Sequence, residues 1–264
     1  MRPTISGRAI RTIVLRESYR AGVGHIGSAL SVADILAALY GGILRIDLED
    51  ARERDRFVMS KGHAALALYA ALALRGTLSD ADLSSYCGDA SLLGVHPERA
   101  LPGVDFSTGS LGHGLAIGAG CALAGRASGS PRRAFVLLSD AELNEGSTWE
   151  SVAFAAHHRL SGLYAFVDLN GQQALGYTGD VLAMENVAER FAAFGWDVRE
   201  VNGHDIGAMQ EAVDLAGDER RPHALLARTV FGHGVSFMQR RIKWHYLPMS
   251  AAEYDQAMRE VGEP

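Results

Sequence analysis

The stretch 134–172 constrains the fold of this chain more than any other part of the sequence. It contains an apolar β-type run at 135–138, an acidic turn, a helical segment and a second β-type run at 163–167. This order is typical of a βαβ unit, in which a helix joins two parallel strands. Further predicted strands at 56–59, 196–201 and 224–230 alternate with helices. We therefore expect an α/β protein with a doubly wound, mainly parallel sheet and helices on both faces.

Polar residues follow both strands of this unit at the point where each strand ends. Asp140 follows the first strand, and Asn170 follows the second. Because the carboxyl ends of parallel strands meet at one edge of a sheet, these two side chains are expected to lie close together. A carboxylate and an amide oxygen suit a hard cation such as Mg²⁺, but both residue types are also common turn formers. The spacing alone leaves a metal site and an ordinary turn equally open.

Length and composition restrict the classes of protein to which the chain can belong. With 264 residues, 48% of them hydrophobic, it can bury a full core, and without an evident linker we expect a single domain over 1–264. A net charge of −6 gives no support for binding to nucleic acid or to an anionic membrane. Two cysteines, no long apolar run and no signal-peptide pattern favour a soluble cytoplasmic protein.

Histidines recur beside glycines, prolines and predicted segment ends. A lone histidine is more often an ordinary polar residue than a catalyst. Several at the loop ends of one sheet can converge, where they could transfer protons near pH 7 or bind hydroxyl and phosphate oxygens. The histidines in such positions are His25, His63, His96, His113, His233 and His245.

Two local patterns predict how helices begin and pack. Ser31 and Asp34 have the spacing of a capping box for a helix that the glycines at 41 and 42 would end. The glycines within 111–125 predict a closely packed helix. They also match a dinucleotide-binding pattern loosely, but no strand precedes them, so a nicotinamide site receives little weight.

The motifs that contain these residues resemble those of transketolases, in the same order along the chain. The stretch 139–150 is similar to the thiamine-diphosphate motif of that family, although Ser139 and Ala141 replace its two glycines. The resemblance runs from about residue 22 to residue 248 and corresponds to the N-terminal half of a transketolase. The segments that resemble the family's histidine loops are GHIGSALSVADIL, SKGHAALALYA, GVHPE, STGSLGHGL and GVSFMQ followed by Trp244-His245.

The resemblance also implies roles for particular residues. Mg²⁺ would be held by the side chains of Asp140 and Asn170 and by the backbone carbonyl of Gln172. The residues implied to contact thiamine diphosphate are His63, Gly109, Leu111, Asp140, Ala141, Glu142, Asn170 and His245. Those implied to act in catalysis, toward the sugar or across the interface with a partner, are His25, His96, His245 and Glu145.

The implied activity is transfer of a two-carbon ketol unit from a ketose or its phosphate to an aldose or its phosphate. Thiamine diphosphate and Mg²⁺ would be the cofactors. A separate C-terminal subunit would carry the pyrimidine-binding half, and the pair would dimerise into a heterotetramer. Two alternatives stay open: the α subunit of a 2-oxo acid dehydrogenase type of enzyme, and a non-catalytic scaffold subunit, which only the replaced motif glycines support.

Overall fold

The computed structural model describes residues 5–46, 50, 52–216 and 220–262. Its strands are β1 (Arg56–Met59), β2 (Ala134–Ser139), β3 (Leu163–Leu169), β4 (Gln172–Gln173), β5 (Gly176–Tyr177), β6 (Asp197–Asn202) and β7 (His223–Arg228). Five of them form a parallel sheet in the spatial order β1-β2-β3-β7-β6. The other two, β4 and β5, form a short antiparallel hairpin.

Helices connect the strands throughout the described part of the chain. The α-helices are α1 (Gly7–Ala21), α2 (Ile26–Ser31), α3 (Ala33–Ala38), α4 (Ala65–Leu74), α5 (Asp80–Leu83), α6 (Gly114–Ala127), α7 (Gly146–His157), α8 (Thr178–Leu182), α9 (Val187–Ala193), α10 (Ile206–Asp214), α11 (Lys243–Tyr246) and α12 (Ala251–Val261). Short 3₁₀ turns follow β1 at Gly62–Ala64 and β2 at Asp140–Asn144. Among the described residues, no helix has the length and apolarity needed to span a membrane.

Two apolar cores lie on opposite faces of the sheet. Successive residues of β2 alternate between them, with Phe135 and Leu137 in one core and Val136 and Leu138 in the other. Helices α1, α3 and α4 contribute to the first core, and α6 and α7 contribute to the second. Because both faces are covered by helices, the strands are apolar along nearly their whole length. The predicted α/β fold with a parallel sheet is confirmed.

The predicted capping box at Ser31 is wrong. Ser31 is the last residue of α2, and its hydroxyl donates to the carboxylate of Asp168 at 2.8 Å. Asp34 forms an ion pair with Arg11 and does not cap a helix start. The two glycines predicted to end the helix lie within a π-helical turn, Leu39–Ile43. Partners that are distant in sequence override the local pattern here, because buried polar groups must be paired.

Three adjacent strands bring the predicted site residues to one edge of the sheet. β1, β2 and β3 are neighbours with parallel register, and the pairing of β2 with β3 ends at Ser139 opposite Asp168. The residues that follow these strands therefore emerge side by side. Asp140 and Asn170 directly follow the ends of β2 and β3, and His63 stands four residues after the end of β1.

Two glycines of α6 provide a test of how closely this helix packs. A Cβ at Gly118 would lie 2.3 Å from a methyl carbon of Val136, whereas a Cβ at Gly120 would meet nothing within 4 Å. We expect Gly118→Ala to lower the free energy of unfolding by about 1–3 kcal/mol, because the core is overpacked. Gly120→Ala should raise it by up to about 1 kcal/mol, since alanine favours a helix. Chemical denaturation measures both, and equal effects would contradict the close packing.

Candidate active site

A cavity of about 310 Å³ lies at the edge of the sheet where β1, β2, β3 and β7 end. Residues from the start of α2 and from the loop before α6 complete its walls. All the residues to which the family resemblance assigns a role line this cavity, except Asp140 and Glu142. The residues that line it are His25, His63, His96, Gly109, Leu111, Ala141, Glu145, Asn170, Gln172 and His245. Of the six histidines at predicted loop ends, His113 and His233 do not line it.

Asp140 lies beside Asn170, as the sequence predicts, but it faces a neighbouring cavity of about 330 Å³. Its Oδ2 accepts a hydrogen bond from the backbone N–H of Gly171 at 2.7 Å. Burial, together with the nearby carboxylate of Asp168, raises the pKa of Asp140 to about 7. A bound cation would favour the ionised form of such a carboxyl group. Asp140 therefore has the position and the environment of a carboxylate that needs a positive partner.

Glu142 does not line the cavity, although the resemblance places it among the cofactor contacts. Its fully buried carboxylate accepts hydrogen bonds from the Ser60 hydroxyl and from the backbone N–H groups of Gly112 and Ser139, the latter two at 3.0 Å. Burial raises the pKa of this carboxyl group. Ser139 and Glu142 also form a capping box for the turn after β2, a spacing that the sequence displays. The side chain thus joins three segments that form the cavity walls.

The two positions where the family motif has glycine do not need glycine in this chain. Ser139 has φ of −95°, and Ala141 is not among the residues with positive φ. Neither residue therefore adopts the left-handed conformation that favours glycine. The N–H of Ala141 is retained as a donor and bonds Oδ1 of Asp140 at 3.0 Å. The departures from the motif are compatible with its backbone geometry.

Three histidine rings cluster on one side of the cavity. The ring centroid of His25 lies 5.0 Å from that of His245 and 5.7 Å from that of His63. The backbone N–H of His25 donates to the carbonyl of His245 at 3.2 Å. His25 also has φ of 60°, a strained conformation for a residue with a side chain. The structure therefore brings together histidines that are far apart in sequence.

Burial lowers the pKa of each of these three histidines. For His63 the pKa falls well below its usual value, and Lys61 adds to the effect. For His245 the pKa falls to about 4, with a further contribution from His25. The pKa of His25 is also lowered, by burial and by His96. These rings are therefore uncharged at neutral pH, and each has one ring nitrogen that can donate a hydrogen bond and one that can accept a proton or a hydrogen bond.

Several residues of the site were not predicted from the sequence. Ser28 bonds Nε2 of His63 at 2.9 Å, and Phe231 stacks near His245 with a centroid distance of 6.3 Å. Lys61 and Asp168 form an ion pair in which both side chains are fully buried. The only signals in the sequence are that Lys61 stands two residues before His63 and Asp168 two residues before Asn170. Such neighbours of motif residues have no pattern of their own.

A second group of possible metal ligands, Asp34, His204 and His233, lies outside the cavity. Both ring nitrogens of His204 are already used, because Nδ1 bonds Asp34 at 2.8 Å and Nε2 accepts the N–H of Val230 at 2.9 Å. The carboxylate of Asp34 also forms an ion pair with the guanidinium of Arg11. A cation would have to displace these partners. The cluster therefore connects α1, α3 and the loop after β7 and does not form a metal site.

The geometry fits an α/β protein that holds a phosphorylated cofactor and a divalent cation at the ends of its strands. The sequence matches the family described as transketolase, thiamine diphosphate binding domain, over residues 4–263. The chain belongs to this transketolase family. The predicted family, the enzyme class and the thiamine diphosphate cofactor are confirmed.

Individual relatives agree with this assignment. The chain is 39% identical to one subunit of the apulose-4-phosphate transketolase of Phocaeicola vulgatus, with 93% of this chain and 88% of the relative covered. It is 36% identical to a 6-deoxy-6-sulfo-D-fructose transketolase subunit of a Clostridium species, with coverage of 96% and 93%. Its structure is similar to that of Campylobacter jejuni transketolase, with a TM-score of 0.89 and 28% identity. That match covers 98% of this chain but 42% of the other.

Glu142→Gln tests whether the buried carboxylate holds the cavity walls together. A glutamine must turn its NH₂ group toward either Gly112 N–H or Ser139 N–H, so one buried donor loses its acceptor. We expect the free energy of unfolding to fall by about 1–3 kcal/mol. Glu150→Gln, on the exposed side of α7, removes the same charge and should change stability by less than about 0.5 kcal/mol. Similar denaturation midpoints for the two variants would contradict this role of Glu142.

The lowered histidine pKa values predict loss of stability in acid. A histidine with a folded-state pKa of about 4 stays neutral while the unfolded chain takes up a proton below its ordinary pKa, so stability falls as the pH drops from about 6.5 toward 4. In His245→Gln, unfolding near pH 5.5 should take up about one proton fewer. Denaturation at several pH values gives this number from its slope. An unchanged slope would show that His245 is not held neutral, and exposed His157→Gln is the control.

Proposed function

We propose that this chain is the N-terminal subunit of a split transketolase, transferring a two-carbon ketol unit between sugars or sugar phosphates together with a separate C-terminal subunit. The observation that carries the proposal is the convergence of Asn170, Ala141 and the histidine cluster on one cavity, with Asp140 beside it. The similarity to two transketolase subunits over most of their length supports it further. The sugars named for those relatives are those of the relatives, and none of them is assigned to this chain.

The residues present fit thiamine diphosphate and Mg²⁺. Nδ1 of His25 and Oε1 of Gln172 are buried and have no hydrogen-bond partner among the residues that the structure describes. Both residues line the cavity, so an occupant there is expected to provide polar partners. Asp140 and Asn170, with the carbonyl of Gln172, offer the all-oxygen ligands that Mg²⁺ prefers.

Each residue then has a defined task. Asp140, Asn170 and the Gln172 carbonyl would hold Mg²⁺, which binds the diphosphate. His63, His245 and the Ala141 N–H would donate to the diphosphate oxygens, while Gly109 and Leu111 line the cofactor. When bound, thiamine diphosphate supplies the carbanion that adds to a ketose carbonyl. His25, His96 and His245 would orient the donor's hydroxyl groups and accept or return their protons.

Two features support a separate partner subunit. Glu145 is exposed at the cavity rim, and its carboxylate forms no hydrogen bond or ion pair within the described residues. Large apolar side chains are exposed beside the cavity, where the β4–β5 hairpin meets α11 through the hydrogen bond from Tyr246 to the Ala174 carbonyl. Leu175 is 80% exposed and Tyr246 is 54% exposed. Exposed apolar clusters of this kind are typical of interaction surfaces.

Further aspects of the proposal concern organisation and location. Both cores lie against the same sheet, which supports a single domain over 1–264. The two cysteines are unpaired, and Cys87 is exposed, which supports a reducing compartment such as the cytoplasm. A heterotetramer of two subunit pairs is the proposed assembly.

Two experiments distinguish the alternative functions. Analysis of the products from a ketose donor distinguishes ketol transfer from the reaction of a 2-oxo acid dehydrogenase. Titration with thiamine diphosphate distinguishes both enzymes from a non-catalytic scaffold subunit.

The proposed metal site predicts the effect of removing Asp140. We expect Asp140→Ala to weaken Mg²⁺-dependent binding of thiamine diphosphate by more than about 100-fold. Loss of a residue that hydrogen-bonds a metal ligand costs about 10- to 100-fold in metal affinity, and loss of the ligand itself should cost more. The melting temperature of the unliganded chain should change little, because removal of a buried carboxyl group with a raised pKa is offset by loss of the acceptor for the Gly171 N–H. Calorimetric titration measures the affinity. Asp214→Ala, on the exposed side of α10, is the matched control, and equal affinities of both variants would contradict the assignment.

The proposed partner predicts that the purified chain alone does not transfer ketol units. Thiamine diphosphate, Mg²⁺, donor and acceptor are supplied, and a candidate for the missing half is added in steps while product is measured. Glu145→Ala should reduce the rate at saturating partner by about 10-fold or more, because it removes a polar contact made across the interface. Glu150→Ala on the same helix is the control. Full turnover before any partner is added would refute the split-enzyme proposal.

A further inference from the structure

Asp168 lies at the centre of a buried polar network at the end of β3. Its carboxylate is fully buried and accepts hydrogen bonds from four side chains. Ser31 and Asn170 each donate to Oδ2 at 2.8 Å, Lys61 also bonds Oδ2, and Thr229 bonds Oδ1. We call these five residues the Asp168 network. Asp168 does not line the cavity, and no proposed cofactor contact involves it.

The network fixes which way the amide of Asn170 points. Nδ2 of Asn170 donates to Oδ2 of Asp168, and Oδ1 of Asn170 accepts from the N–H of Gln172 at 2.9 Å. A carboxylate can only accept and a backbone N–H can only donate, so the reversed amide would lose both bonds. The remaining polar atom that the side chain can offer to a cation is therefore its oxygen.

We propose that Asp168 is a positioning residue that requires an amide at position 170 and holds its oxygen as the metal ligand. This inference rests on the proposed function, because it concerns the proposed Mg²⁺ site. An aspartate at position 170 would place a second carboxylate against Oδ2 of Asp168, where Asn170 now donates at 2.8 Å. Like charges at this separation repel strongly in a buried site. The single positive charge in the network, on Lys61, is already opposed by Asp168.

The inference predicts the opposite of what the usual ligand preference of a hard cation would give. A carboxylate is usually a better ligand than an amide for a hard cation. Asn170→Asp should nevertheless weaken Mg²⁺-dependent binding of thiamine diphosphate by about 10-fold or more, since loss of ligand support typically costs 10- to 100-fold in metal affinity. Asn170→Ala removes the ligand oxygen without adding a charge and leaves the ion pair between Lys61 and Asp168 in place. Asn170→Asp should bind no more tightly than Asn170→Ala.

Ser31→Ala is the matched control for a loss of stability alone. It removes another donor to the same carboxylate oxygen but leaves Asn170 and its two bonds unchanged. We expect a lower melting temperature and an affinity within about threefold of the parent. If stability of the Asp168 network were all that mattered, Ser31→Ala and Asn170→Asp would lose affinity in proportion to their melting temperatures.

The experiment is calorimetric titration of each full-length chain with thiamine diphosphate in the presence of Mg²⁺, after its melting temperature has been measured without ligand. If the parent chain binds the cofactor and the Asn170→Asp variant binds it as tightly, the inference is wrong and the proposed function is unaffected. A parent that does not bind would overturn the proposed function and the inference with it. If Asn170→Asp does not fold, Asn170→Ala decides: Mg²⁺-dependent binding as tight as that of the parent would overturn the inference.

Discussion

The ion pair between Lys61 and Asp168 is the interaction on which the site depends most. Both side chains are fully buried, and the residues are 107 positions apart in sequence. Either charge alone would cost several kcal/mol in this environment, so the two must be brought together by the fold. The pair joins the end of β1 to the end of β3, and the other members of the Asp168 network add α2 and the loop after β7. Four segments that line the cavity are thereby held in one arrangement.

The sequence predicted the parts of this structure that have a local pattern. The βαβ unit, the strand ends at Asp140 and Asn170, and the histidines of the cavity all follow from periodicity or from short motifs. It failed where a side chain is used by a distant partner. Ser31 has the spacing of a helix cap but bonds Asp168, 137 residues away. Spacing cannot distinguish these uses, because the partner is decided by tertiary packing.

The site combines a buried carboxyl group, that of Asp140, with uncharged histidine rings. Asp140 is a buried carboxyl group whose pKa is raised to about 7, and the pKa values of His25, His63 and His245 are lowered. Burial is the largest cause in each case, so each group is held toward its uncharged form. A cation with a diphosphate would bring its own charges into this low-dielectric cavity. Ionised Asp140 would then be paired with the cation, and the neutral histidines could donate to phosphate without adding repulsion among themselves.

Polar groups without partners at the cavity are consistent with the proposed cofactor and partner subunit. Lys61 and Asp168 pair with each other, and Glu142 is hydrogen-bonded, while buried atoms of the cavity residues His25 and Gln172 have no partner among the described residues. Glu145 is exposed at the same rim, beside apolar side chains of the β4–β5 hairpin and α11. Internal networks thus fix the positions of the proposed metal and diphosphate ligands within this chain. The proposed second subunit would then cover a preformed surface, because the entropy cost of ordering those ligands is met when this chain folds.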